Sequence, residues 1–171
     1  SRGLADLFSL KFDPQQKFSV RKFNALVKDL NKLIAQVSSL DQDRIINKYL
    51  ELIKATVRTN FYQPAADDKE KSYISFKLKP NEISGIPKPV PMFEIFVYSP
   101  RVEGVHLRGG NVARGGLRWS DRREDFRTEI LGLVKAQQVK NSVIVPVGAK
   151  GGFVCKQLPK TGGRDAFFAE G

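Results

Sequence analysis

The sequence predicts a mixed α/β fold of the α+β kind: an N-terminal pair of helices, then a mixed sheet with helices packed on it. Three observations carry this. Apolar residues recur at helical spacing through the first third of the chain. Past residue 72 the spacing changes to strand-like alternation. A further helical stretch then separates the extended runs. With 171 residues, 41% of them hydrophobic and twelve of them Phe, the chain can bury a substantial core.

The elements follow in order. Ser19 can cap a first helix, with Phe18 and Phe23 placed as a hydrophobic staple. Phe23, Leu26, Val27, Leu30, Leu33, Ile34 and Val37 would form its apolar face. Ser39 to Gln42 reads as a capping box for a second helix, with Ile45, Ile46, Tyr49, Leu50, Ile53 and Val57 on one face. A short turn between the two predicts an antiparallel pair. Residues 63–72 are polar and read as a linker, which divides the chain into a helical segment 1–62 and an α/β part 73–171. In the latter, Ile74, Phe76 and Leu78 alternate as a half-buried strand. Residues 80–91 are a Pro- and Gly-rich loop. Residues 92–98 form an apolar run broken by Glu94 and read as a central strand, and Val105 and Leu107 mark a third. Phe126, Ile130, Leu133 and Val134 define one face of a helix over 123–139. Residues 143–147 read as another strand, and 151–155 as extended chain.

One Cys and one His exclude an internal disulfide and a zinc-type ligand set, and fit a reducing, cytoplasmic setting. No apolar stretch is long enough to span a membrane. The terminal Asp165-Ala-Phe-Phe-Ala-Glu170 reads as a helix cut short, so a piece of a longer protein is expected. The net charge of +11 admits nucleic acid, acidic lipid or an anionic small molecule as partner. Its distribution is more telling. Residues 101–127 hold seven arginines and no lysine, interleaved with glycines and acids.

Lys150 stands in Val147-Gly148-Ala149-Lys150-Gly151-Gly152. A lysine among small residues after an apolar run can meet a substrate partly out of water and do acid–base work. An ordinary glycine turn is the competing reading. The motif is not a Walker loop, since Gly151 and not Ser or Thr follows the lysine, and Gly-x-Gly-x-x-Gly is absent. Arg114-Gly115-Gly116-Leu117-Arg118 places two arginines on one side of an extended stretch, suited to grip a carboxylate or phosphate. The alternative is a solvated basic loop paired with Asp121, Glu124 and Asp125. Gln137 and Lys140 project from neighbouring positions in the last turn of the predicted helix, where a lysine can simply complement the helix dipole. His106, Cys155 and Trp119 read as structural residues. A nucleic-acid-binding module would explain the charge, yet no aromatics are interleaved with the arginines. A structural fragment that mediates subunit contacts is the third alternative.

Taken together, residues 103–154 resemble the amino-acid dehydrogenases, specifically the glutamate dehydrogenases. Arg114-Gly-Gly-Leu-Arg-Trp119 looks like that family's Lys-Gly-Gly-x-Arg loop, Glu129-Ile-Leu-Gly-Leu133 like its following helix, and Val139-Lys140-Asn141 and Pro146-Val-Gly-Ala-Lys150-Gly-Gly152 like its two lysine motifs. The string from Leu107 to Arg122 is similar to the large NAD-specific bacterial enzymes. The resemblance implies Lys150 as catalytic lysine. It implies Arg114, Gly115, Gly116, Gln137 and Lys140 around the substrate α-carboxylate, with Arg118 as a further substrate contact. Three departures stand out: Arg114 replaces a lysine, a single Gly148 replaces a pair, and the Lys140–Lys150 interval is two residues shorter than in the common small enzymes. The family's catalytic aspartate and nucleotide-binding domain have no counterpart here, so the chain resembles a truncated substrate domain. The implied reaction is NAD-dependent oxidation of glutamate to 2-oxoglutarate and ammonia. The NAD would be bound by a domain outside this chain, within a homo-oligomer that takes a dicarboxylate and neither nucleic acid nor membrane. The isolated chain is expected to be inactive.

Overall fold

The computed structural model describes residues 2–65, 71–111, 114–141, 147–159 and 168–169, with the side chains of Lys140 and Asn141 outside the description. Three helices come first: α1 (Arg2–Phe12), α2 (Val20–Ile34) and α3 (Leu40–Ala55). The strands are β1 (Thr56–Thr59), β2 (Ile74–Leu78), β3 (Phe93–Tyr98), β4 (Val102–Arg108), β5 (Leu117–Trp119) and β6 (Ala149–Cys155), with α4 (Phe126–Asn141) between the last two. They form one mixed sheet in the order β1-β2-β3-β4-β6-β5.

The predicted caps are present. Ser19 Oγ accepts from Lys22 N at 3.4 Å and Ser39 Oγ from Gln42 N at 3.5 Å. The staple pair Phe18 and Phe23 pack together with their rings tilted by 54° and their centroids 5.9 Å apart. Two readings need correction. The helical pair is a trio, because α1 precedes it and buries Leu7 and Leu10. Leu7 packs with Leu30, Ile34 and Leu50, which makes one small core shared by all three helices. Val57 belongs to β1 and not to the second helix, since the chain turns extended at Thr56 and pairs antiparallel with β2. β1 therefore ties the helical segment directly into the sheet.

The second core lies under α4. Val105, Leu107 and Val154 from the sheet meet Phe126, Ile130, Leu131 and Val134 from the helix. Gly152 permits this approach, for a Cβ there would stand 2.2 Å from Ile130 Cδ1. Glu94, the charge that interrupts the apolar run of β3, is buried beneath the same helix and receives both Arg127 Nε (2.8 Å) and Nη2 (2.6 Å). A buried carboxylate is tolerated when paired in this two-pronged way. Hydrogen bonding to Glu94 raises the Arg127 pKa further, against the opposing effect of burial.

The helix predicted over 123–139 begins at Phe126. Arg123 to Asp125 form a turn that leads in, with Arg123 N donating to Asp121 O and Thr128 N to Asp125 O. The strand expected over 143–147 falls mostly on residues 142–146, outside the described residues. Lys150 is not in a loop after a strand: it is the second residue of β6.

Candidate functional site

β5, α4 and β6 form a parallel strand–helix–strand unit, the single parallel pairing in the sheet among the described residues. A helical crossover returns the chain to the same end of the sheet, so the start of β6 lies beside the start of β5, near the end of the helix. That topology explains why residues far apart in sequence converge. The Arg114–Gly116 segment enters β5, Gln137 lies near the end of α4, and Lys150 lies at the start of β6.

Backbone hydrogen bonds fix this end. Ala149 N donates to Arg114 O at 2.9 Å, and Gly151 N to Gly116 O at 3.1 Å. The two glycines of the loop differ in kind. A Cβ on Gly115 would fall 1.5 Å from Ala149 O, which no side chain can survive, whereas a Cβ on Gly116 would meet nothing within 4 Å. Gly115 is therefore required by close backbone approach, and Gly116 leaves open space. Gly148 is the third contact: a Cβ there would come within 2.4 Å of Gln137 Nε2 and 2.9 Å of Arg114 O. The Gln137 side chain and the Arg114 carbonyl thus both crowd the Cα of Gly148. On the far side, Gly109 N donates to Gly148 O at 3.1 Å.

Lys150 is half-buried and pairs with Leu107 across β4. Cross-strand partners share a face, and Leu107 lies in the core under α4. Lys150 therefore leaves the sheet on the helix-covered face, the face to which Gly148 and Gln137 also belong. Its neighbour toward β5, by extension of the Leu117–Gly151 register, is Gly116. Lys150 is thus set between a buried leucine and an open glycine. Among the described residues neither Lys150 nor Arg114 has a carboxylate partner.

Arg118 is placed differently. It lies beside Gly152, two residues further along, and roughly 13 Å of extended chain from Arg114. Its Nε is 2.5 Å from Glu129 Oε1 in the first turn of α4. The other Glu129 oxygen accepts from Ser120 Oγ at 2.6 Å. The Ser120 hydrogen bond, and after it the charge of Arg118, hold the Glu129 carboxyl below the usual carboxylate range. Arg122 pairs with Asp125 just ahead of α4. With Arg127 on Glu94, at least three of the seven arginines in 101–127 are neutralised locally. The stretch is not a uniform cationic surface; of the acids expected beside Arg114 and Arg118, Asp125 pairs with Arg122 instead, and Arg118 pairs with Glu129.

Lys140 lies in the last turn of α4 as expected. His106 lies on the opposite face of the sheet from Lys150, partly buried, with its pKa lowered first by burial and then by Arg108. Cys155 is buried, and Trp119 stacks on Phe153 with centroids 6.1 Å apart.

The described residues offer no dinucleotide cradle. The passage from β5 into α4, Ser120 to Asp125, has no glycine, and three of its amides are engaged: Ser120 N donates to Phe153 O, Arg122 N to Ser120 Oγ and Arg123 N to Asp121 O. Asp125 and Glu129 bring negative charge where a pyrophosphate would need positive. Nor do three His, Cys, Asp or Glu side chains meet among the described residues to hold a metal ion.

Residues 29–171 match the family model described as bacterial NAD-glutamate dehydrogenase, catalytic domain. The chain belongs to this family. Similar proteins include the NAD-specific glutamate dehydrogenases of Halomonas elongata, 58% identical over 100% of this chain, and of Pseudomonas aeruginosa, 59% identical over 99%. That of Mycobacterium tuberculosis is 52% identical over 99%. The chain spans only about 11% of the length of each. No helix among the described residues is long and apolar enough to cross a membrane.

Sequence reasoning missed three contributors to this arrangement. Glu129 engages Arg118, Ser120 donates to Glu129, and Gly109 receives Val147, whose Cγ1 would lie 2.2 Å from a Cβ on that glycine. The signal for Glu129 was weak, because the helix predicted over 123–139 puts it in the second turn and only the observed start at Phe126 brings it into the first. Nothing in the one-dimensional pattern specified Gly109, whose partner is thirty-eight residues away.

Proposed function

We propose that this chain carries the glutamate-binding side of the active site of an NAD-dependent glutamate dehydrogenase. The observation that supports it most strongly is the pair of hydrogen bonds from Ala149 N to Arg114 O and from Gly151 N to Gly116 O. They hold Arg114 and an open glycine beside Lys150, both cations without a carboxylate partner among the described residues, on elements that the sequence separates by more than thirty residues.

In this reading Arg114, with Gln137 and Lys140, receives the α-carboxylate of glutamate. Gly115 lets the loop lie flat on β6, and Gly116 leaves room for the substrate next to Lys150. Two or three cations facing a dicarboxylate supply charge complementarity, strengthened as water is excluded. Lys150 Nζ is the acid–base group: it takes a proton from the water that attacks the α-carbon after oxidation, and returns one as ammonia leaves. NAD accepts the hydride when bound, and the residues described here do not form its site, so it is held by other parts of the full-length enzyme. That enzyme is cytoplasmic and homo-oligomeric in this reading, and residues 73–171 are the incomplete substrate-binding part.

The test is NADH formation by the full-length enzyme with glutamate, set against aspartate and leucine, and by the 171-residue chain alone. Glutamate-specific reduction by the full-length enzyme and none by the isolated chain is expected. Turnover by the isolated chain, or no preference for glutamate, would refute the assignment.

A further inference from the structure

We infer that Glu129 is a positioning residue, which with Ser120 withdraws Arg118 from the substrate and leaves Arg114 as the arginine that meets it. The inference rests on the glutamate-binding reading above and refines it. Three observations carry it. Glu129 spends both carboxylate oxygens locally, one on Arg118 Nε at 2.5 Å and one on Ser120 Oγ at 2.6 Å. Its side chain is only 14% exposed, so the carboxylate is shielded from bulk water. Arg118 and Ser120 flank Trp119 in and just after β5, so one carboxylate of α4 grips the strand on both sides of a single residue.

The mechanical consequence follows from the short strand. β5 is three residues long and, among the described residues, lies at the edge of the sheet with β6 as its one neighbour. An edge strand this short is weakly held by its own ladder. Its far end is fixed by Ser120 N donating to Phe153 O at 2.8 Å and by Glu129. Its near end is the Arg114–Gly116 loop beside Lys150. A slip at the Glu129 end is therefore transmitted along three residues to the carbonyls that hold the loop to β6. Misplacement of a binding group by about 1 Å costs affinity or rate without loss of the fold.

The experiment is steady-state glutamate oxidation by the full-length enzyme and its Glu129→Gln, Arg118→Met and doubly substituted variants. Each single variant is expected to raise the KM for glutamate roughly tenfold, with kcat within about threefold of the unmutated enzyme. The double variant should be no worse than either, since both break one pair. Ser120→Ala touches neither charge and should raise KM about threefold. It keeps the question open to measurement where a charge variant is insoluble. Arg122→Gln, which breaks an exposed pair, should leave both constants within about twofold. A direct substrate contact by Arg118 would give another result: Arg118→Met would raise KM while Glu129→Gln left it unchanged or lowered it by freeing the guanidinium. That result, an unchanged KM in Ser120→Ala, or a tenfold rise in Arg122→Gln overturns the inference and leaves the glutamate-binding reading standing. Absence of NAD reduction in the unmutated enzyme overturns both.

Discussion

Gly115 lies against Ala149 so closely that a Cβ on the glycine would fall 1.5 Å from the alanine carbonyl oxygen. This contact joins the arginine loop to the lysine strand. It also separates two glycines that look alike in sequence, for Gly116 next to it has open space.

Gly115→Ala should therefore break the attachment of the loop. Backbone and not a flexible side chain opposes the added methyl, so the strand must move. A loss of about 1–3 kcal/mol is expected, measured as a shift of the urea midpoint of the full-length enzyme, with a rise in the KM for glutamate. Gly116→Ala should leave the midpoint within about 0.5 kcal/mol. Equal stability of the two variants would remove the close approach from the account.

Arg127→Met should destabilise the sheet–helix layer. It leaves Glu94, 9% exposed at its side chain, without its guanidinium partner. Breaking a buried pair on one side costs roughly 3 kcal/mol, since a charge remains unpaired. The double variant Glu94→Leu/Arg127→Met removes both charges and should recover much of that loss. Urea unfolding of the four proteins of the cycle checks this, and no recovery in the double variant would count against it.

The Glu129 carboxyl has a pKa held below its ordinary value, first by Ser120 and then by Arg118. The sign follows. The stabilisation is present above the ordinary glutamate value of about 4.3 and is lost as pH falls through the lowered one. Glu129→Gln has no proton to gain there, so its stability should vary less with pH below about 4.3 than that of the unmutated enzyme. Parallel acid-unfolding curves would contradict the pairing.

Much of this was legible in the sequence because periodicity reports local structure. The caps at Ser19 and Ser39, the alternation through β2 and the apolar face of α4 all follow from one-dimensional patterns. α1 was overlooked although Leu4, Leu7 and Phe8 have helical spacing, for at eleven residues it carries a short periodic pattern. Val57 was misread because its spacing continues that of α3 while the chain leaves the helix at Thr56. In the candidate site, Lys150 and Arg114 stood out by motif. The opposite fates of Arg114 and Arg118 did not, because they depend on Glu129, which reaches β5 only once the crossover helix has folded back on the sheet.

The central claim concerns Lys150, a half-buried lysine with no carboxylate partner among the described residues. Its most direct test is glutamate-dependent NADH formation by the full-length enzyme carrying Lys150→Ala. The account predicts that kcat falls by about 10²–10⁴ while the urea midpoint stays within about 1 kcal/mol, since Lys150 packs between Leu107 and open space. Turnover within a few fold of the unmutated enzyme would contradict it and take Lys150 out of the chemistry.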